Sequence, residues 1–384
     1  MLYRNLGQTG EEVSILGFGC MRFPTIDNEP NQINEKETTA MLEYGIDNGI
    51  NFIDTAYSYH GTDFDSGGMS EPFLGDFLQT GFREKVLLST KLPSWIVEKK
   101  EDMEYFLDQQ LERLQTDKID LYLLHSLKKD YWANLTSLDV FEFMDTIQNE
   151  KKVKYIGFSF HDELDLLLEI LDSYDWDVVF TQMNYVDENY QSGINGLQYL
   201  SSIGMGNVIM EPLRGGTLVN NIPSEITKLW NSSKIKRSAV EWAFRYLWDI
   251  EGVSSVLSGM TSLEQVKENV AIAKNAFPNS LTDEERSLIK EVSRTYKERK
   301  DIDCTVCSYC MPCPQKVNIP TCFKEYNIAK ILGDAKASSM QYFSLLNEEN
   351  YASSCIECGD CVPMCPQMIN IPEELKKVKK LFGR

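Results

Sequence analysis

Eight short apolar runs, separated by stretches of helical periodicity, constrain this chain more than any other feature. They are SILGFG (14–19), NFIDTA (51–56), KVLLSTK (85–91), IDLYLLH (119–125), VKYIGFSF (153–160), DVVFTQMNY (177–185), NVIMEPL (207–213) and SSVLSG (254–259). Their near-continuous apolar character suits strands buried on both faces of a parallel sheet. Between them, KETTAMLEYGIDNG (36–49), EDMEYFLDQQLERLQ (101–115), DELDLLLEILDSY (162–174) and RSAVEWAFRYLWDI (237–250) read as amphipathic helices. Eight strand–helix units in one unbroken series predict a closed (β/α)₈ TIM barrel rather than an open sheet. The opening LYRNLGQTGEEV, with a Thr-Gly turn between short runs, predicts a hairpin closing the barrel bottom. A charged helix (281–300) follows the eighth unit. The expected boundary lies near residue 300, giving a barrel over 1–300 and a second domain over 301–384.

The cysteines point to what that second domain is. Nine of the ten lie after residue 300, and Cys20 is the exception. The first residues contain no apolar core of signal-peptide length, and no stretch reaches the ~20 apolar residues of a membrane helix. A soluble, cytoplasmic protein without a membrane partner is expected, and there clustered thiols read as metal ligands rather than disulfides. Net charge is −20, and residues 301–384 hold nine Lys/Arg and ten Asp/Glu, so −19 falls on residues 1–300. So acidic a surface repels a phosphate backbone, and nucleic acid is not an expected partner.

The run CIECGDCVPMCP sets Cys355, Cys358, Cys361 and Cys365 before Pro366. This is the C-x₂-C-x₂-C-x₃-C-P spacing of bacterial-type ferredoxins, in which three thiolates of one tight loop meet three irons of a cubane. The earlier run, CTVCSYCMPCP, carries Cys304, Cys307, Cys310 and Cys313, with x₂ where the ferredoxin run has x₃. Both continue alike, QKVNIP and QMINIP, which reads as an internal duplication. In two-cluster ferredoxins the last cysteine of each run serves the other cluster. That resemblance implies one 4Fe–4S cluster on Cys304, Cys307, Cys310 and Cys365, and another on Cys355, Cys358, Cys361 and Cys313. A single cluster on the second run is the alternative, because the first run departs from the motif. The forty-one residues between Cys313 and Cys355 read as helical, which resembles the α-helical ferredoxin domains. Cys20 and Cys322 read as packing thiols.

In a TIM barrel, reactive side chains come from the C-terminal ends of strands. Asp54 and Tyr59 follow the second run, Lys91 ends the third and His125 ends the fourth. Together they suit carbonyl reduction, which needs a proton donor for the developing alkoxide. An ammonium beside a phenol lowers its pKa, a carboxylate keeps the ammonium charged, and an imidazole orients the carbonyl oxygen. No G-x-G-x-x-G follows a strand, so a Rossmann domain is not supported.

From YRNLGQTGEEVS to the ENV run at 268–270, the chain resembles the aldo-keto reductases. The resemblance implies that Asp54, Tyr59, Lys91 and His125 form the catalytic tetrad, with Tyr59 the proton donor. It implies that Ser159 and Gln182 hold a nicotinamide carboxamide, although Phe160 stands where an asparagine is usual. Met210 stands where many members stack an aromatic ring. Ser258, Gly259, Met260 and Asn269 align with the adenosine-phosphate loop, and Gly259 and Gln265 replace its usual basic residues, leaving NADH and NADPH both open. Tyr57, Trp95, Trp132 and Tyr185 either line a pocket or pack; His60 and His161 either touch a ligand or hydrogen-bond at the rim. Arg22 and Arg214 pair either with an anionic ligand or with an acidic neighbour.

The whole chain resembles ferredoxin-fused aldo-keto reductases. This implies a nicotinamide-dependent oxidoreductase acting on a small carbonyl compound or alcohol. Its clusters would exchange electrons with a ferredoxin, flavodoxin or flavoprotein. A hydride carries two electrons and a cluster moves one, and no flavin motif is present, so the clusters are either structural or served by a flavin-bearing partner. The rival is an electron-relay or regulatory protein with an idle barrel and structural clusters; the intact tetrad argues against it.

Overall fold

The computed structural model describes all residues except Asn28, Asp63, Phe64, Asn221, Thr305, Cys307, Ser308, Tyr309, Pro366 and Arg384, and the side chain of Ser344. Strands β1 (Tyr3–Asn5) and β2 (Glu12–Ser14) form an antiparallel hairpin. The next eight are β3 (Leu16–Gly19), β4 (Phe52–Asp54), β5 (Leu87–Leu92), β6 (Ile119–Leu127), β7 (Val153–Phe160), β8 (Val178–Gln182), β9 (Gly206–Met210) and β10 (Ser255–Ser258). They close into a parallel barrel in chain order, with β10 pairing back onto β3. The predicted (β/α)₈ barrel is therefore the observed fold.

The alternation of side chains across each strand builds two cores. Phe52, Leu121, Leu123, Val178, Phe180, Val208 and Leu257 form one buried cluster with Leu6 and Val13 of the hairpin. A second, larger cluster joins residues such as Phe158, Phe160, Leu124 and Ile209 to the apolar stripes of the helices. The hairpin thus seals the N-terminal end of the barrel, leaving the other end to carry chemistry. Its turn depends on Gly7, at φ +56°, where a Cβ would stand 2.2 Å from the backbone nitrogen of Gly206.

The chain divides into two compact units, one of residues 1–215 and 240–282, the other of residues 216–239 and 283–384. In the second unit, helices Ile319–Leu332, Ala335–Leu345 and Ile371–Phe382 enclose a core including Phe323, Tyr342, Val378 and Phe382. The repeated N-I-P triplets explain two of these helices. Asn318 and Asn370 are their N-cap residues, and a proline follows in the first turn of each, where its missing N–H costs nothing. Gly333 and Gly383, both left-handed, close them. No helix among the described residues is long and apolar enough to cross a membrane.

Close strand packing makes Gly157 of β7 irreplaceable. A Cβ there would lie 2.2 Å from the Val178 carbonyl oxygen and 2.7 Å from a Leu123 methyl. Gly157→Ala should cost ~1–3 kcal/mol through strand displacement, and unfolding in urea followed by circular dichroism measures it.

Candidate active site

Three neighbouring strands bring the four predicted residues to one mouth. Asp54 is the last residue of β4, Lys91 lies near the end of β5 and His125 near the end of β6. The register places Asp54 opposite Ser89 and Lys91 opposite Leu123. Lys91 Nζ lies 2.7 Å from Asp54 Oδ1 and donates to Oδ2 at 2.8 Å, to the Thr55 carbonyl at 2.6 Å and toward the Tyr59 hydroxyl at 3.4 Å. Ser89 Oγ donates to Asp54 Oδ1 at 3.1 Å. The Tyr59 and His125 rings meet edge to face at 6.1 Å.

Burial sets the electrostatics. It opposes the charge on Lys91, but Asp54 and Tyr59 outweigh it and hold the ammonium above its ordinary range. Burial lifts the Asp54 carboxyl, against the pull of Lys91 and Ser89. At 2.7 Å the two form an ammonium–carboxylate pair. Tyr59 departs from the expectation that Lys91 lowers its pKa. Burial of the phenol outweighs the ammonium, and Asp54 adds to it, so the net shift is upward. The hydroxyl accordingly stays protonated at neutral pH. His125 is held well below its ordinary value by burial, then by Lys91 and His161. Its ring is therefore neutral, with Nδ1 buried and without a hydrogen-bond partner among the described residues.

Two backbone features that no pattern signals aim these side chains. His60 and Ser126, directly after Tyr59 and His125, both adopt left-handed conformations, at φ 61° and 57°. Such angles are uncommon for residues other than glycine. At Ser126 the β6–β7 register shifts, and the Ser126 N–H turns onto Ser159 Oγ at 2.7 Å. His60 is a rim residue, with Nε2 accepting from the Phe23 N–H at 3.1 Å and Nδ1 2.8 Å from the Pro30 carbonyl.

The predicted cofactor residues lie at or just after the ends of β7, β8 and β10, except Asn269, which stands on the helix Leu263–Ala273. Ser159 is buried, Gln182 closes β8 opposite Met210, and Phe160 points into the hydrophobic core. Asn269 donates to Ser258 Oγ at 3.1 Å, and Met260 is buried in the core. Gly259 leaves room for Arg22, whose Cδ would stand 3.0 Å from a Cβ there. The two arginines differ. Both carboxylate oxygens of Asp187 hold Arg214 at 2.5 Å, whereas Arg22 lies 3.9 Å from Glu211. Among the four aromatics, Trp95 stands at the site, its ring 5.2 Å from that of His125. Tyr57, Trp132 and Tyr185 are buried against Phe106, Trp176 and Tyr246.

Six of the described cysteines border the second core, and five thiol residues line one cavity. Cys310, Cys313, Cys355, Cys358 and Cys361 surround about 180 Å³, which Pro372 and Leu375 of the last helix also line. Cys304 and Cys365 pack at the edge of the same core, and Cys307 lies outside the described residues. Cys361 is pushed up to about 11 by burial, then by Cys355, Cys358 and Cys310. Cys322 is buried, 3.6 Å from the Tyr342 hydroxyl, and Cys20 is buried beneath the active-site mouth.

Comparison with known proteins matches residues 15–294 to the aldo/keto reductase family and residues 303–370 to a 4Fe-4S dicluster domain. The chain is similar to L-galactose dehydrogenase of Arabidopsis thaliana, 28% identical over 292 residues, covering 70% of this chain and 86% of that protein. It is also similar to an uncharacterized oxidoreductase, YrpG, of Bacillus subtilis, 30% identical over 235 residues, covering 57% of this chain and 68% of that one. Among solved structures, the holo form of an aldo-keto reductase from Bacillus halodurans superposes with a TM-score of 0.62 at 27% identity. It covers 76% of this chain and 96% of that one.

His161 supplies a test of the site's burial. It directly follows β7 and stands beside Gln191, whose amide nitrogen lies 3.3 Å from Nδ1, and burial holds its pKa down to about 4. The folded protein therefore refuses a proton that the unfolded chain takes up near pH 6.5. Stability should fall as the pH drops from about 6.5 toward 4, by ~2 kcal/mol at pH 5. His161→Gln should lack this component, which unfolding of both proteins at pH 7 and pH 5 measures.

Proposed function

This chain belongs to the aldo/keto reductase family, and on that premise we propose that it is a nicotinamide-dependent oxidoreductase interconverting a small carbonyl compound and its alcohol. The observation that carries this reading is the buried Lys91 ammonium, paired with Asp54 and 3.4 Å from the Tyr59 hydroxyl. In reduction, the Tyr59 O–H donates its proton to the carbonyl oxygen as negative charge gathers there. Lys91 stabilises the phenolate left behind, and Asp54 keeps Lys91 charged and in place. The neutral His125 ring orients the oxygen for that proton. In oxidation, the same phenolate takes the proton back. The nicotinamide cofactor, when bound, supplies or accepts the hydride.

The residues present fit such a cofactor. Ser159 and Gln182 offer a hydroxyl and an amide on adjacent strands for a carboxamide. Ser258, Gly259 and Met260 at the end of β10, with Asn269 from the following helix bonded to Ser258, would hold the adenosine phosphates, and Gly259, without a side chain, keeps the backbone open beside Arg22. Arg22, rather than the paired Arg214, is the cation available to a phosphate. Because this cation belongs to the strand-β3 end and not to the loop itself, the chain's use of NADH or NADPH rests on its reach.

The cysteine-lined cavity supports 4Fe–4S ligation in the second unit. In this reading Cys355, Cys358 and Cys361 with Cys313 hold one cluster, and Cys304, Cys307 and Cys310 with Cys365 hold the other. The fit rests on thiols from both runs sharing one cavity. Cys310, which this reading gives to the other cluster, also lines it. A cluster, when bound, supplies one-electron transfer, so its exchange partner is a ferredoxin, flavodoxin or flavoprotein. The protein acts in the cytoplasm, where such thiols stay reduced.

Tyr59→Phe should lower carbonyl reduction by ~10²–10⁴-fold while leaving nicotinamide binding, read by fluorescence titration, nearly intact. Retention of most of the wild-type rate would remove Tyr59 as the proton donor. A panel of aldehydes, ketones and, given the sugar dehydrogenase among the relatives, hydroxylated alcohols should be assayed with both nicotinamides.

Protein prepared without oxygen should contain about eight irons and eight sulfides. Cys365→Ala should disturb the spectrum of the cluster built on the first run as well. Four irons in the wild type, with the spectrum of Cys304→Ala unchanged, would leave one cluster.

A further inference from the structure

Behind the mouth lies a fully buried carboxylate for which the proposed reaction has no use. Glu71 is the second residue of the helix Ser70–Gln79, and its side chain is completely enclosed. Oε1 accepts from Thr90 Oγ1 at 2.6 Å and from Gln110 Nε2 at 2.7 Å; Oε2 accepts from Arg113 Nε at 2.9 Å. Every one of these partners leads back to the active site.

Thr90 precedes Lys91 on β5, so the two side chains leave the strand on opposite faces. One goes to Glu71 and the other to Asp54 and Tyr59. Gln110 reinforces the anchor, donating to the Lys91 carbonyl at 3.0 Å and accepting from the Tyr122 hydroxyl at 2.8 Å. Arg113, through its other nitrogen, donates to the Gly68 carbonyl. Gly68 closes the turn that carries Tyr59: its N–H bonds the Tyr57 carbonyl at 2.8 Å, and a Cβ on it would stand 2.0 Å from the Tyr59 carbonyl oxygen. The Ser70 N–H bonds that same Tyr59 oxygen at 3.1 Å. Ser70 Oγ lies 2.8 Å from Thr55 Oγ1, and the Thr55 carbonyl receives Lys91 Nζ. The strand end bearing the ammonium and the turn bearing the phenol therefore meet at residues 70–71.

We propose that Glu71 is a positioning residue for the reaction, fixing the Lys91 strand through Thr90 and Gln110 and the Tyr59 turn through Arg113, and so setting the contact between the ammonium and the phenol. It touches no reacting atom. Its carboxylate is suited to this because it accepts three hydrogen bonds from three directions at once, which a neutral side chain of its size cannot do.

This inference rests on Tyr59 as proton donor, and the test separates the two. Glu71→Gln and Thr90→Val are made in the full-length, cluster-containing protein and compared with Tyr59→Phe. Glu71→Gln should lower kcat by about tenfold or more, with KM for the carbonyl and Kd for the nicotinamide changed by less than about threefold. The rise of alcohol oxidation with pH, which reports the Tyr59 phenolate, should move to higher pH by ~0.5 unit or more, because Lys91 sits less well against the oxygen. Thr90→Val should move the same limb in the same direction by a smaller amount, and it decides the matter if Glu71→Gln does not fold. Combining Glu71→Gln with Arg113→Gln, which leaves no unpaired charge, should recover thermal stability without recovering the pH profile. Folded variants with a lowered Tm but wild-type kcat and pH profile overturn the proposal, since they show a purely structural carboxylate. If Tyr59→Phe itself keeps the wild-type rate, the proton-donor reading fails instead.

Discussion

A lysine ammonium buried in a barrel wall is costly, and the structure around the mouth is organised by the need to keep it charged. An isolated ammonium so placed would lose its proton or find water. Lys91 does neither, because Asp54, the Thr55 carbonyl and the Tyr59 oxygen all point at it. Asp54 is itself satisfied by Ser89 on the neighbouring strand. The pair is thus held by the parallel register of β4 and β5, and its geometry is as rigid as the sheet. The upward shift of Tyr59 belongs to the same balance: in the free site, burial keeps the proton on the phenol, where a reduction needs it.

The barrel and the gathering of Asp54, Tyr59, Lys91 and His125 at one mouth were legible because both follow from periodicity. Strands buried on two faces read as unbroken apolar runs, and reactive groups fall at the ends of those runs. What stayed hidden depended on depth or on distance along the chain. Lys91 is visible beside Tyr59 in the pattern, but the depth of burial that outweighs its pull on the phenol is not. The left-handed backbone at His60 and Ser126 has no glycine to announce it. Asp187 claims Arg214, and no local rule pairs positions so far apart; the same holds for Glu71 with Gln110 and Arg113. Of the four candidate aromatics, only placement separates Trp95 from the three that pack.

Cysteine spacing was legible for a different reason. A cubane needs thiolates from one short loop and one from elsewhere, so candidate ligands show up as spacing within each run. The spacing alone does not show that Cys310 and Cys313 of the first run share a cavity with Cys355, Cys358 and Cys361 of the second. The duplicated N-I-P caps launch a helix after each run.

Residues 216–239 belong with residues 283–384 rather than with the barrel strands that flank them. The helix Ser224–Ser232 buries Ile226 and Trp230, and Glu225 pairs with Arg299. This has a consequence for how the protein is made. During synthesis the segment leaves the ribosome before the helix Asp283–Lys297 and Arg299, against which it packs, exist, and the chain between is itself barrel. At ~5–20 residues per second, its apolar face waits ~3–10 s for the helix Asp283–Lys297, while the last strand, β10, is made. Removing everything after residue 282 would make that wait permanent, so the cluster-bearing unit is not a passenger that can be cut away cleanly.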